Sequence, residues 1–115
     1  MFDETELSQL REVVSDAIYG GRLGVAQFLR CHAVTDDPGL LDASLSALTS
    51  LGDAWFGSGP AQAHRLGEDS GIYLTEMLKW DAGQGAIVTV SVGSHPEPRL
   101  DLLLVGSKGS LYHQG

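Results

Sequence analysis

The chain has 115 residues, 43% hydrophobic and 19% charged, the balance of a globular protein and not of a disordered one, and its length predicts one domain over residues 1–115. Seven basic residues against fifteen acidic ones leave a net charge of −8, a field that repels phosphate backbones and anionic membranes and so argues against nucleic acid or a membrane as partner. No apolar run approaches the ~20 residues of a membrane span, the acidic start MFDETEL is unlike a signal peptide, and the single cysteine, Cys31, allows neither an intrachain disulfide nor a cysteine-based metal site; a soluble, cytoplasmic protein is expected.

Asp3 and Glu6 have capping-box spacing. Leu7, Leu10, Val14 and Ala17 follow on one face with Ile18 beside them, which predicts a helix over residues 4–19. Gly20-Gly21 ends it, with a glycine in the left-handed conformation. Residues 25–35 read as a strand. Phe28, Arg30, His32 and Val34 share one face, and Val25, Leu29, Cys31 and Ala33 share the other. A face that mixes Arg30 and His32 with Phe28 is either a partly wet sheet face or one turned to a ligand.

Asp36-Asp37-Pro38-Gly39 breaks the strand, with Asp37 extended before its proline. The stretch LLDASLSALTSLGDAWFGSGP then forms an amphipathic helix. Leu41, Leu45, Leu48, Leu51 and Trp55 make its apolar side, and Gly57 ends it. Its polar side is unusual. Asp42, Ser46, Thr49 and Asp53 recur every three or four residues, where a solvated helix commonly carries Lys, Glu and Arg.

A strand over residues 61–66 and an acidic, mobile loop over 67–71 follow. Ile72, Leu74, Leu78 and Trp80 then alternate with Tyr73, Thr75, Met77 and Lys79, residues 81–85 turn, residues 86–92 are rich in β-branched side chains, 93–98 turn again, and 100–105 form another strand. These spacings suit an antiparallel meander. Residues 106–110 turn once more before a short strand at Leu111-Tyr112. Leu74, Leu78 and Trp80 oppose Tyr73 and Met77, and Leu100, Leu102 and Leu104 oppose Leu103 and Val105. Two helices cover only one face of such a sheet, so Tyr73, Met77, Leu103 and Val105 are expected on a second face that mediates dimerisation or a larger oligomer. The fold class expected is α+β: an open, mainly antiparallel sheet with both helices on one side.

Motifs for other chemistry are weak. GSKGS lacks the spacing of a phosphate loop and no helix follows it. GGRLG follows a helix instead of a strand, unlike a dinucleotide fingerprint. His32, His64, His95 and His113 show no paired ligand spacing, which predicts no metal. No serine sits in a nucleophile elbow. Trp55 and Trp80 read as core residues.

The segments AIYGGRLGVAQFLR, GLLDASLSALTSLGDAWFGSGPAQAHR, GAIVTVSVGS and LDLLLVGSKGSL stand in an order that resembles the C-terminal domain of the Gfo/Idh/MocA oxidoreductases. Gly21-Arg22-Leu23-Gly24 is similar to that family's G-x-[LI]-G approach to the first strand. Gly39 to Asp42 is similar to its G-x-L-x-D helix start, and Gly106, Gly109 and Leu111 to its GxxGxL turn. The resemblance implies an open sheet whose uncovered face packs on a second subunit. It also implies an N-terminal Rossmann domain that binds NAD or NADP and holds a lysine in an E-K-P motif; neither has a counterpart in these residues, so no cofactor is expected.

Family enzymes place an Asp and, four residues on, a proton-transferring His on this helix. Asp42 falls at the Asp position, Ser46 at the His position, and Thr49 where an acid is common. A serine hydroxyl is no general base near neutral pH without an activating partner. The stripe Asp42, Ser46, Thr49 and Asp53, with Arg30 and His32, is therefore the remnant of a catalytic cleft, or else a plain solvated face. Three functions are compatible with this reading: a non-catalytic assembly module that pairs through its sheet or docks on a full-length oxidoreductase, a subunit of a split NAD(P)-dependent oxidoreductase, and a binder of small, sugar-like ligands.

Overall fold

A computed structural model gives the fold and describes residues 4–57, 59–93 and 99–114. The capping pair headed by Asp3, and His95 in the turn at 94–98, lie outside the described residues. Helix α1 spans Glu4–Tyr19. Leu10, Val14 and Ala17 are buried at 3.6-residue spacing. Beyond its end the N–H groups of Gly20 and Arg22 bond the carbonyls of Asp16 and Ala17, while Gly21 takes φ +78°.

Strand β1 covers Ala26–Thr35. Leu29, Cys31 and Ala33 are buried and Arg30 and His32 exposed, as the alternation requires. Val25 departs from the expected pattern: it is 65% exposed. A register shift between Ala26 and Phe28 puts Ala26 on the buried side instead. Asp37 is extended, and its Oδ1 accepts from the N–H of Gly39 at 2.9 Å, which starts a single 3-10 turn, Pro38–Leu40. Helix α2, Leu41–Phe56, follows, and Gly57 closes it at φ +83° with its N–H on the Asp53 carbonyl. All five residues of the expected apolar side are buried.

The remaining strands are β2 (Gln62–Leu66), β3 (Tyr73–Lys79), β4 (Gly85–Val92), β5 (Arg99–Gly106) and β6 (Ser110–Gln114). Ile72 precedes β3 and is exposed, so it does not join Leu74, Leu78 and Trp80 in the core. Among the described residues the six strands form one sheet in the order β2-β3-β4-β1-β5-β6. The expected meander is thus interrupted. β1 inserts between β4 and β5, parallel to the first and antiparallel to the second; every other pair is antiparallel. The fold is α+β, with both helices on one face of an open sheet.

Leucines of α2 share one core with Leu29, Val88, Val90, Leu102 and Leu104. Gly52 is buried against Trp80: a Cβ there would stand 3.1 Å from the indole ring. That ring also meets Phe56 edge-on at 4.6 Å. The turn before β1 and the turn after β5 close on each other. Lys108 N–H donates to the Leu23 carbonyl at 3.0 Å, Ser107 N–H to the Val25 carbonyl at 2.9 Å, and Val25 N–H to the Ser107 hydroxyl at 2.9 Å. The two glycine motifs therefore form a single backbone clasp. Among the described residues no helix is long and apolar enough to cross a membrane.

Candidate functional site

The polar stripe on α2 faces away from the sheet, and two of its four residues, Asp42 and Thr49, are engaged within the chain. Asp42, in the first helical turn where an acid favours the helix dipole, accepts from Arg65 Nη1 at 3.2 Å. Arg65 on β2 also directs Nε and Nη2 to Glu76 Oε2 on β3, at 3.1 and 3.0 Å. Glu68 lies at the edge of this cluster, 4.0 Å from Arg65 Nε. One guanidinium thus ties the start of α2 to the β2–β3 edge. Thr49 donates its hydroxyl to the Ser46 carbonyl at 3.1 Å, and Ser50 donates to the Ala47 carbonyl at 2.6 Å. Both bonds run back to the helix's own backbone. Ser46 and Asp53 are exposed. Among the described residues no base is hydrogen-bonded to the Ser46 hydroxyl to activate it.

Arg30 and His32 lie on the other side of the sheet from this stripe. The alternation of β1 sends Leu29, Cys31 and Ala33 toward the helices and Arg30 and His32 toward the open face. One cleft lined by Arg30, His32, Asp42 and Ser46 is therefore not formed, because the sheet stands between the two sets. On the open face Arg30 and His32 border a shallow depression of about 340 Å³ with Thr89, Asp101, Leu103 and Tyr112. His32 Nε2 is 3.1 Å from the Ser91 hydroxyl, and Thr75 and Thr89 share a hydrogen bond of 3.0 Å. Tyr73, Met77, Leu103 and Val105 all sit on this face, the first two exposed and the others half-buried.

Asp101 is the residue that sequence reading passed over. It stands directly across from His32 in the β1–β5 register. It is half-buried, and its Oδ1 has neither a solvent-accessible surface nor a hydrogen-bond donor. The signal was present: LDLLLV places one acid among leucines, on the alternate set that faces away from the core. The neighbouring Cys31 thiol is buried on the helix side, and that burial, with the Asp101 charge adding to it, pushes its pKa up to about 12. It is inert as a nucleophile. Among the described residues no group of three or more His, Cys, Asp or Glu side chains is placed to hold a metal ion.

No protein-family model and no curated protein matches the sequence. Solved structures do match. A candidate myo-inositol dehydrogenase from Sinorhizobium meliloti 1021 aligns over 91% of this chain with a TM-score of 0.75 and 15% identity. The myo-inositol 2-dehydrogenase of Lactobacillus plantarum aligns over 90% at 0.71 and 14%. The WlbA dehydrogenase of Bordetella pertussis, solved with NADH and UDP-GlcNAcA, aligns over 90% at 0.67 and 18%. The chain resembles the Gfo/Idh/MocA dehydrogenases in fold. It spans only 38 to 39% of the length of these three, as a C-terminal domain would. At such identities the likeness is one of architecture.

Proposed function

We propose that these residues serve as a non-catalytic assembly module that associates through the open face of its sheet. The observation that carries this reading is the contrast between the two sides of the molecule. On the helix side, the stripe that would hold proton-transfer chemistry has a serine where a base is needed, a threonine hydroxyl bonded to the helix backbone, and an aspartate held by Arg65. On the other side, Tyr73, Met77, Ile87 and Tyr112 stay 37 to 58% exposed, and among the described residues no layer covers them. Exposed aromatic and methionine side chains grouped on one sheet face are characteristic of interfaces. The buried thiol of Cys31 suits a cytoplasmic setting.

A full-length dehydrogenase is the alternative partner. It is favoured by the 38% of length that the chain shares with its structural neighbours. In that arrangement the chain is a subunit of a split oxidoreductase and the cofactor lies on the other chain. Sedimentation velocity from 1 to 100 µM, at about 0.15 M salt, tests the first reading. The expected result is a species of twice the chain mass, and a monomer throughout would overturn it. Calorimetric titration with NADH is expected to show no saturable binding; a micromolar dissociation constant would favour the split enzyme.

A further inference from the structure

The C-terminal turns of α1 and α2 and the start of β1 come together at one end of the helix layer, around a cavity of about 390 Å³. Ser15 and Ile18 line it from α1, Trp55 and Phe56 from α2, and Val25 and Ala26 from the strand, with Gln84 reaching in from the turn between β3 and β4. Trp55 lies about 20 Å along the α2 axis from Asp42, at 1.5 Å per residue. The cavity is therefore separate from the Asp42–Arg65 cluster, and it lies on the helix side of the sheet, away from the open face.

The chemistry of its wall is one-sided. Helix α2 ends in Asp53-Ala54-Trp55-Phe56, with no basic residue in its last turn to balance the negative end of the helix dipole. Among the described residues no backbone N–H donates to the carbonyls of Ala54, Trp55 and Phe56. Gln84 spends its Nε2 on the Ala26 carbonyl, at 3.3 Å, which leaves its side-chain oxygen as an acceptor. Ser15 adds a hydroxyl. The Trp55 indole N–H is closed off from the surface, so it offers no donor to a visitor. Lys108 runs its aliphatic stem past Gly24 but is not part of the lining, which holds no Lys, Arg or His among the described residues. Exposed acids adjoin the lining in the chain, Asp16 beside Ser15 and Asp53 beside Ala54.

Acceptors without a cation, two aromatic residues and an uncompensated helix C-terminus all favour positive charge on an apolar body. The net charge of −8 acts in the same direction and disfavours anions. We infer that this cavity is a binding site for a small organic ammonium ion, with the protonated amine toward the α2 carbonyls, Ser15 and Gln84, and the hydrocarbon part against Ile18, Val25, Trp55 and Phe56. The inference is independent of the assembly reading above, because no residue of the open face takes part in it.

Three probes of one shape and different charge give the test: benzylamine, protonated at pH 7, the neutral benzyl alcohol, and the anion benzoate. Each is titrated into the full chain and followed through backbone amide shifts by NMR. Benzylamine is expected to saturate with a dissociation constant of about 1 mM, with the shifts centred on Ser15, Ala26, residues 54–57 and Gln84. Benzyl alcohol is expected to bind about tenfold more weakly, and benzoate to leave these amides unmoved. Ala54 is exposed and lines the cavity, so Ala54→Lys brings a cation to the wall without disturbing the core. It is expected to weaken benzylamine binding at least tenfold while urea denaturation shows the fold intact. Ala54→Gln, of similar length and no charge, is expected to cost less than threefold. No saturable benzylamine shift at these residues refutes the site. Equal binding of the amine and the alcohol, or equal losses in Ala54→Lys and Ala54→Gln, shows that shape and not charge is selected and overturns the assignment to an ammonium ion.

Discussion

Gly106→Ala tests whether the clasp between the two glycine turns holds the fold together. Gly106 ends β5 and is buried. Its φ lies outside the left-handed region, so an alanine there meets no backbone strain and the cost is steric. The added methyl would run into the Leu23 carbonyl oxygen, 2.9 Å from the carbonyl carbon and 3.1 Å from the Leu23 Cβ. The obstacle is backbone, which cannot swing aside as a side chain does. Moving it strains the bonds from Lys108 to Leu23 and from Ser107 to Val25. Overpacking of this kind costs ~1–3 kcal/mol, and each weakened bond adds up to ~1 kcal/mol. The expected loss is about 3 kcal/mol, a large share of the ~5–15 kcal/mol that holds a domain together. Gly109→Ala is the control. It lies in the same turn with an ordinary φ, and its methyl would stand 3.5 Å from the Arg22 carbonyl, a normal contact; its change should stay within ~0.5 kcal/mol. Urea denaturation of both variants measures the difference. If Gly106→Ala unfolds at the same urea concentration as Gly109→Ala, the clasp is not a structural requirement and this reasoning is wrong.

Arg65→Met should cost ~1–2 kcal/mol in the same assay, because it strands the Glu76 carboxylate, whose side chain is only 15% exposed. Asp42→Asn should cost no more than ~0.5 kcal/mol, since Asp42 is 83% exposed; equal losses would refute the view that Arg65 acts mainly through Glu76. Cys31 should resist thiol reagents until the chain is unfolded. Its pKa is raised from 9.0 to about 12 in the folded chain, so the stability it contributes is complete below pH 9 and is lost as pH rises toward 12. Cys31→Ala should show a shallower alkaline decline, and an unchanged slope would count against the burial argument. Ser46→His should confer no NAD(H)-linked oxidation of inositols and should alter stability by no more than ~0.5 kcal/mol; a loss of several kcal/mol would place Ser46 in a packed environment.

Both helices were legible because burial enforces a 3.6-residue period over 16 residues in each. The strands were legible as strands, and their faces followed from alternation, so Tyr73, Met77, Leu103 and Val105 were assigned to the open side from pattern alone. Their neighbours were not legible. Alternation says which way a side chain points, not which strand lies alongside, and β1 pairs with β4 across more than fifty residues of chain. Val25 was misplaced for a related reason, since one bulge reverses the sides of whatever precedes it. The cleft expectation failed at the same point. Arg30 and Asp42 are close in sequence, yet β1 enters the middle of the sheet and turns Arg30 away from the helices. Arg65 was passed over because its importance comes from Glu76 and Asp42, 11 and 23 residues away.

The glycine turns that make the chain look like a dehydrogenase are explained by the chain's own backbone. Gly106 is required by the Leu23 carbonyl, and no substrate need be invoked for it. Residues constrained in this way persist whenever the fold persists, whether or not any chemistry does, so their presence argues for architecture alone. What the fold does not account for is a guanidinium exposed in an apolar row and a carboxylate oxygen buried without a donor one strand away. A buried carboxylate oxygen without a donor is costly, and among the described residues no side chain donates to this one. The open face is therefore where an interaction beyond folding has the strongest claim.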